Sequence, residues 1–109
     1  MNIENYAKYI QLNIKGLSKE DTILKSATYE YLHTAKDEYA IGWGNYMEDG
    51  KPISGHNGSD GTFFARTIID REQMTGYIVM VNCGSENAQI GVRKMVNELR
   101  KFNVADFYR

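Results

Sequence analysis

Glycine is distributed unevenly along this sequence, and that distribution limits what the chain can form. Residues 3–33 hold one glycine, whereas residues 42–84 hold eight of the ten. A glycine-poor stretch can sustain helix. A glycine-rich one favours strands joined by tight turns, because glycine adopts positive φ without steric cost. The apolar spacing changes with the glycines. Ile3, Tyr6, Ala7, Ile10, Ile14 and Leu17 recur at steps of three and four, which predicts an amphipathic helix. Asn2 can cap it, and Gly16 suits a left-handed stop. Ser18-Lys19-Glu20-Asp21 then has the form of a capping box, predicting a second, shorter helix through Ile23, Leu24 and Ala27.

From Tyr39 the period becomes two. Tyr39, Ile41 and Trp43 alternate with Ala40, Gly42 and Gly44, predicting a strand with one bulky face. Glu48-Asp49-Gly50-Lys51 is a hairpin signal, since Asp-Gly accepts the positive φ values of a two-residue turn. The return strand, roughly 51–57, holds the only proline, Pro52. Residues 55–61, Gly-His-Asn-Gly-Ser-Asp-Gly, are expected as a loop. A third strand covers residues 62–70 and a fourth residues 77–83. The fourth is apolar at nearly every position, which predicts a central place in the sheet. Ser85 can cap a last helix whose apolar stripe is Ala88, Val92, Met95, Leu99 and Phe102. The sum is an α+β fold in a single domain over residues 1–109. It has an antiparallel meander of about four strands, two N-terminal helices and a C-terminal helix packed on the sheet.

Composition sets the remaining bounds. Ile, Leu, Val and Phe account for 24 of the 109 residues, so eight tyrosines and one tryptophan must share the burial. Thirteen basic and fourteen acidic residues give a net charge of −1, without the basic footprint of a nucleic-acid binder. No apolar run approaches the 18 residues of a membrane span. The N-terminus lacks the basic and apolar regions of a signal peptide. One cysteine, Cys83, excludes an internal disulfide, and it is expected as a small buried hydrophobe. His33 and His56 do not have the spacing of a metal pair, so no metal or cofactor is expected. His33 reads as a helix-end residue. Trp43 with Tyr39 and Tyr46 is expected to pack rather than line a cleft.

The densest candidate for chemistry is the 55–61 stretch. Its glycines expose backbone N–H groups beside an imidazole, an arrangement able to cradle an anion or a developing oxyanion. It is equally a glycine-rich β-connection in which His56 is a satisfied polar residue. It matches neither the dinucleotide-binding G-x-G-x-x-G pattern nor a Walker loop, and Ser59 is not in a G-x-S-x-G elbow.

Taken in order, Tyr39-Ala40-Ile41-Gly42-Trp43-Gly44, Gly55-His56-Asn57-Gly58, Gly61-Thr62-Phe63 and Ile78-Val79-Met80-Val81-Asn82-Cys83-Gly84 resemble one family. It is the serine β-lactamase and penicillin-binding-protein-like family, in its branch of class C β-lactamases, D-alanyl-D-alanine peptidases and esterases. The likeness runs over roughly residues 3–102. It implies a partial β-lactamase/transpeptidase-like fold and a C-terminal piece of a hydrolase that acts on peptide, ester or β-lactam bonds. By this resemblance His56 stands at the Lys or His of the family's third active-site motif. Asn57 takes the place of its Thr or Ser, and Gly58 takes the place of its glycine. The backbone N–H of Ser59 falls where the family has an oxyanion donor. The resemblance makes His56, Asn57, Gly58 and Ser59 the substrate-binding residues.

The family's S-x-x-K nucleophile and base are missing. Ser18, Ser26, Ser54, Ser59 and Ser85 are followed three residues later by Asp21, Tyr29, Asn57, Thr62 and Ala88. The chain alone is therefore expected to be inactive, with a small-molecule or peptide substrate belonging only to a full-length parent. Family members usually work in the periplasm or otherwise outside the cytoplasm. The alternative is a stand-alone binding module that uses the same sheet and glycine stretch. Truncation of the hydrolase would leave an unpaired sheet edge, which predicts a homodimer or larger assembly through that edge or through exposed helix faces.

Overall fold

The computed structural model describes residues 2–59 and 62–101. The element order is α1 (Ile3–Leu17), α2 (Ser26–Thr34), β1 (Glu38–Tyr39), β2 (Gly44–Glu48), β3 (Lys51–Ser59), β4 (Phe64–Asp70), β5 (Thr75–Val81) and α3 (Glu86–Arg100). The strands form one antiparallel sheet in the order β1-β2-β3-β4-β5, an α+β fold with an up-and-down ribbon. By compactness the chain divides into two units. One comprises residues 1–56 and 68–76; the other comprises residues 57–67 and 77–109.

In the first unit, α1 begins as its sequence predicts. Asn2 Oδ1 accepts the N–H of Asn5 at 2.8 Å, and Glu4 sits in the positive first turn. Its end differs from expectation. Lys19, not Gly16, takes the left-handed conformation (φ 73°). The N–H of Lys19 donates to Gly16 O and that of Glu20 to Lys15 O, the paired bonds of a Schellman ending. Gly16 is glycine for a different reason: a Cβ there would overlap the Tyr29 ring, so α2 could not approach so closely. The expected capping box does not form. Ser18 Oγ instead donates to Ile14 O and helps close α1. Asp21 Oδ1 accepts the N–H of Ser26, where α2 starts, seven residues later than the box implied. Ile23 and Leu24 are consequently exposed in a connection rather than buried on a helix.

The strand expected over residues 39–44 is broken. Tyr39 pairs with Gly44, and the N–H of Ala40 donates to Trp43 O at 2.7 Å, so the chain reverses over 40–43 with Gly42 at φ 80°. This reversal raises the strand count from four to five. It buries Ala40 and Trp43 while leaving Tyr39 and Ile41 exposed. The Asp49-Gly50 hairpin forms as predicted, with φ 52° and 78° and Glu48 opposite Lys51. The expected loop starting at Gly55 is instead strand: β3 runs on to Ser59, with Gly55 opposite Gly44. Asp70 organises the next turn by accepting the N–H groups of Glu72 and Gln73, both at 3.0 Å. The apolar interior of this unit includes Ile10, Leu17, Tyr29, Trp43, Ile53, Ile68 and Ile69.

In the second unit, Ser85 Oγ accepts the N–H of Ala88 at 3.1 Å and starts α3 as expected. The buried face of α3 is carried by Val92 and Val96, and Met95 points to solvent. The predicted stripe chose Met95 because positions 92, 95 and 99 also satisfy helical spacing. Phe102 lies outside the described residues, as do Asp60 and Gly61. The strand expected to be central, here β5, is last in the sheet order. A continuous apolar run reflects cover on both faces of a strand and carries no information about its place in the ladder. Cys83, expected to be buried, is exposed, and its Sγ lies 3.4 Å from Ser85 Oγ. Hydrogen bonding by the Ser85 side chain, and then by its backbone, pulls the thiol below its ordinary pKa.

Candidate functional site

The residues singled out by sequence fall on β3, and the boundary between the two units passes between His56 and Asn57. His56 belongs to the first unit. It is half-buried, and its ring meets Trp43 edge-on, with centroids 6.2 Å apart and planes at 62°. The β2–β3 pairing produces this contact. Gly44 lies opposite Gly55, which places the aromatic element next to the His-Asn-Gly element.

Asn57, Gly58 and Ser59 belong to the second unit. Asn57 is exposed, and its Oδ1 accepts from Arg66 Nη1 at 2.9 Å. Gly58 faces open space, since a Cβ built on it meets nothing within 4 Å. Ser59 Oγ donates to Phe63 O at 3.0 Å.

A second imidazole, which sequence reasoning took only as a helix-end residue, lies at the centre of a buried polar cluster in the first unit. His33 does occupy the last turn of α2, and its side chain is entirely inaccessible. Asn13 Nδ2 donates to Tyr9 O at 2.9 Å, which leaves Asn13 Oδ1 as an acceptor. That acceptor requires a proton on His33 Nε2, 2.8 Å away. His33 Nδ1 then accepts from Ser54 Oγ at 2.8 Å. The ring is thereby fixed as the neutral Nε2–H tautomer. Trp43 stacks on it, with centroids 4.5 Å apart and planes at 23°. Burial, with a smaller contribution from the Arg71 guanidinium, holds the His33 pKa down to about 4. With both ring nitrogens committed and no solvent access, His33 organises the core rather than transferring protons.

The sequence held one signal for this cluster. Asn13 sits on the inward stripe of α1, between Ile10 and Leu17, where a polar residue must find partners. What it could not supply was the pairing of residues 20 and 21 positions apart.

Arg71 was also missed. Its Nη2 donates to Asn45 Oδ1 at 2.6 Å and its backbone N–H to Pro52 O at 3.0 Å. The described residues contain no group of three or more His, Cys, Asp or Glu side chains able to hold a metal ion. Among them no helix is long and apolar enough to cross a membrane. No protein-family model, curated protein or solved structure matches this chain.

Proposed function

We propose that this chain is the C-terminal segment of a β-lactamase-like serine hydrolase and supplies the third active-site element to a nucleophile carried elsewhere. The observation behind this reading is the contact of Trp43 with His56. Trp43 and His56, 13 residues apart in sequence, meet because Gly44 of β2 pairs with Gly55 of β3. The up-and-down strand order is a second support, because the resemblance calls for a meander followed by a helix.

On this reading each residue of the element has a distinct task in acyl transfer. His56 places a donor or cation beside the substrate. Gly58, open above its Cα, lets a substrate carbonyl come close to the strand. The backbone N–H of Ser59 stabilises the oxyanion as the carbonyl becomes tetrahedral. The attacking serine and its lysine must come from an S-x-x-K helix, and this chain has none.

The test has two arms. The isolated chain, incubated with a fluorescent penicillin or an activated ester, is expected to form no adduct and to hydrolyse no faster than its His56→Ala variant. A stoichiometric serine adduct would overturn the assignment. The polypeptide or gene preceding residue 1 is expected to encode an S-x-x-K helix, and its absence there would defeat the reading. The same incompleteness predicts self-association. No described strand follows β5 in the sheet order, so a second copy can pair along that edge. Light scattering of the isolated chain should report a dimer or larger species, and a monomer at high concentration argues against it.

A further inference from the structure

A pocket of about 150 Å³ opens within the first unit, and none of residues 56–59 lines it. Leu17 of α1, Glu30 and Thr34 of α2, Pro52 of β3, and Arg71 and Met74 of the β4–β5 turn line it. Leu17, Pro52 and Met74 provide an apolar wall. Glu30 on the lining and Asp70, next to Arg71 in sequence, are already engaged. Glu30 pairs with Lys19 at 3.1 Å, and the Asp70 carboxylate accepts two backbone N–H groups of its own turn.

Among the described residues Arg71 has no such partner. Its one side-chain bond goes to the neutral amide oxygen of Asn45, and its Nε is buried without an acceptor. A guanidinium does not shed its charge at ordinary pH, so a partly buried one without a counter-ion is an unbalanced cation. Burial pushes its pKa down, as expected for a cation that lacks compensation. A single negative charge would balance it. Glu30 on the lining disfavours a dianion such as phosphate. The volume of about 150 Å³ limits the ligand to a small molecule, such as an acid of three to five carbons.

We propose that this pocket binds a small aliphatic carboxylate, with its carboxylate on the Arg71 guanidinium and its chain against Leu17, Pro52 and Met74. This does not depend on the hydrolase reading. A planar carboxylate matches the guanidinium fork, and the bond is charge-assisted at both ends.

The test is a titration of the ¹⁵N-labelled 109-residue protein with sodium butyrate at constant ionic strength, with butanol, butylamine and inorganic phosphate in parallel. Butyrate should give saturable amide shifts at Leu17, Glu30, Thr34, Arg71 and Met74, with a Kd of about 1–10 mM for so small a ligand. Arg71→Gln, which keeps an amide donor for Asn45, should weaken binding about tenfold or more. Met74→Trp should block the pocket while leaving Arg71 in place, and it carries the test if Arg71→Gln does not fold. Equal binding of butanol would mean an apolar cleft only and would overturn the proposal. Tighter binding of phosphate, unchanged affinity in Arg71→Gln, or no saturable shift at about 50 mM would do so as well.

Discussion

The two histidines of this chain meet the same tryptophan and differ in almost everything else. His33 lies flat against Trp43, inaccessible, with both nitrogens committed to Asn13 and Ser54. His56 meets Trp43 edge-on and remains half-buried. The sequence directs attention to His56, because glycines surround it. The structure places the denser set of interactions around His33. The contrast shows that glycine context marks where a backbone can be approached, whereas a buried histidine is defined by partners far away in sequence.

Replacing their shared neighbour should have the largest effect. Trp43→Ala removes a nearly inaccessible side chain that contacts both His33 and His56. It is expected to destabilise the chain by about 3–5 kcal/mol, measured by chemical denaturation. The contrast would collapse if His33→Ala and His56→Ala then proved equally mild. His33→Ala strands Asn13 Oδ1 and the Ser54 hydroxyl in the interior and is expected to cost about 2–4 kcal/mol.

The pH dependence sharpens the same comparison. The folded-state pKa of His33, about 4, lies below its unfolded value of 6.5. Between those values the unfolded chain takes up a proton that the folded chain refuses. The stability contributed by neutral His33 is therefore complete above pH 6.5 and is lost as pH falls towards 4. The loss amounts to about 3 kcal/mol over the window. Denaturation midpoints measured from pH 7 to pH 4 should fall in the parent and in His56→Ala, and fall less steeply in His33→Ala. An equal slope in His33→Ala would remove His33 as the cause.

Two glycines extend the comparison from imidazoles to backbone. Gly16→Ala forces a methyl group into the Tyr29 ring and is expected to cost about 1–3 kcal/mol. Gly58→Ala meets open space and should shift stability by less than about 0.5 kcal/mol. On the hydrolase reading, Gly58→Ala should instead lower turnover once the strand is combined with its nucleophile-bearing partner, since the added methyl narrows the approach to β3. A small effect is likewise expected for His56→Ala, under about 1 kcal/mol by the same denaturation assay.

Local chemistry made much of this molecule legible in advance. Asn2 and Ser85 have short polar side chains that reach the N–H groups three residues on, and both cap helices as read. Asp49-Gly50 can take the two positive φ values of a hairpin turn, and Glu48 faces Lys51 as that requires. Where two local solutions were of similar energy, the reading failed. Ser18 could open a helix or close one, and Gly16 could end α1 or receive Tyr29. The choice depended on α2, which no short window contains.

The amino-acid sequence by itself determined the α+β class, the starts of α1 and α3, the Asp-Gly hairpin and the run of glycines along β3. Each of these follows from interactions among residues a few positions apart. Only the tertiary structure decided that β5 is last in the sheet, that Met95 faces outward, and that Asn13, His33 and Ser54 share one buried network. It also decided that Arg71 has no counter-ion among the described residues. Those outcomes depend on which groups, distant along the chain, are deprived of water together. Burial and the satisfaction of buried polar groups are properties of packed neighbours rather than of sequence spacing.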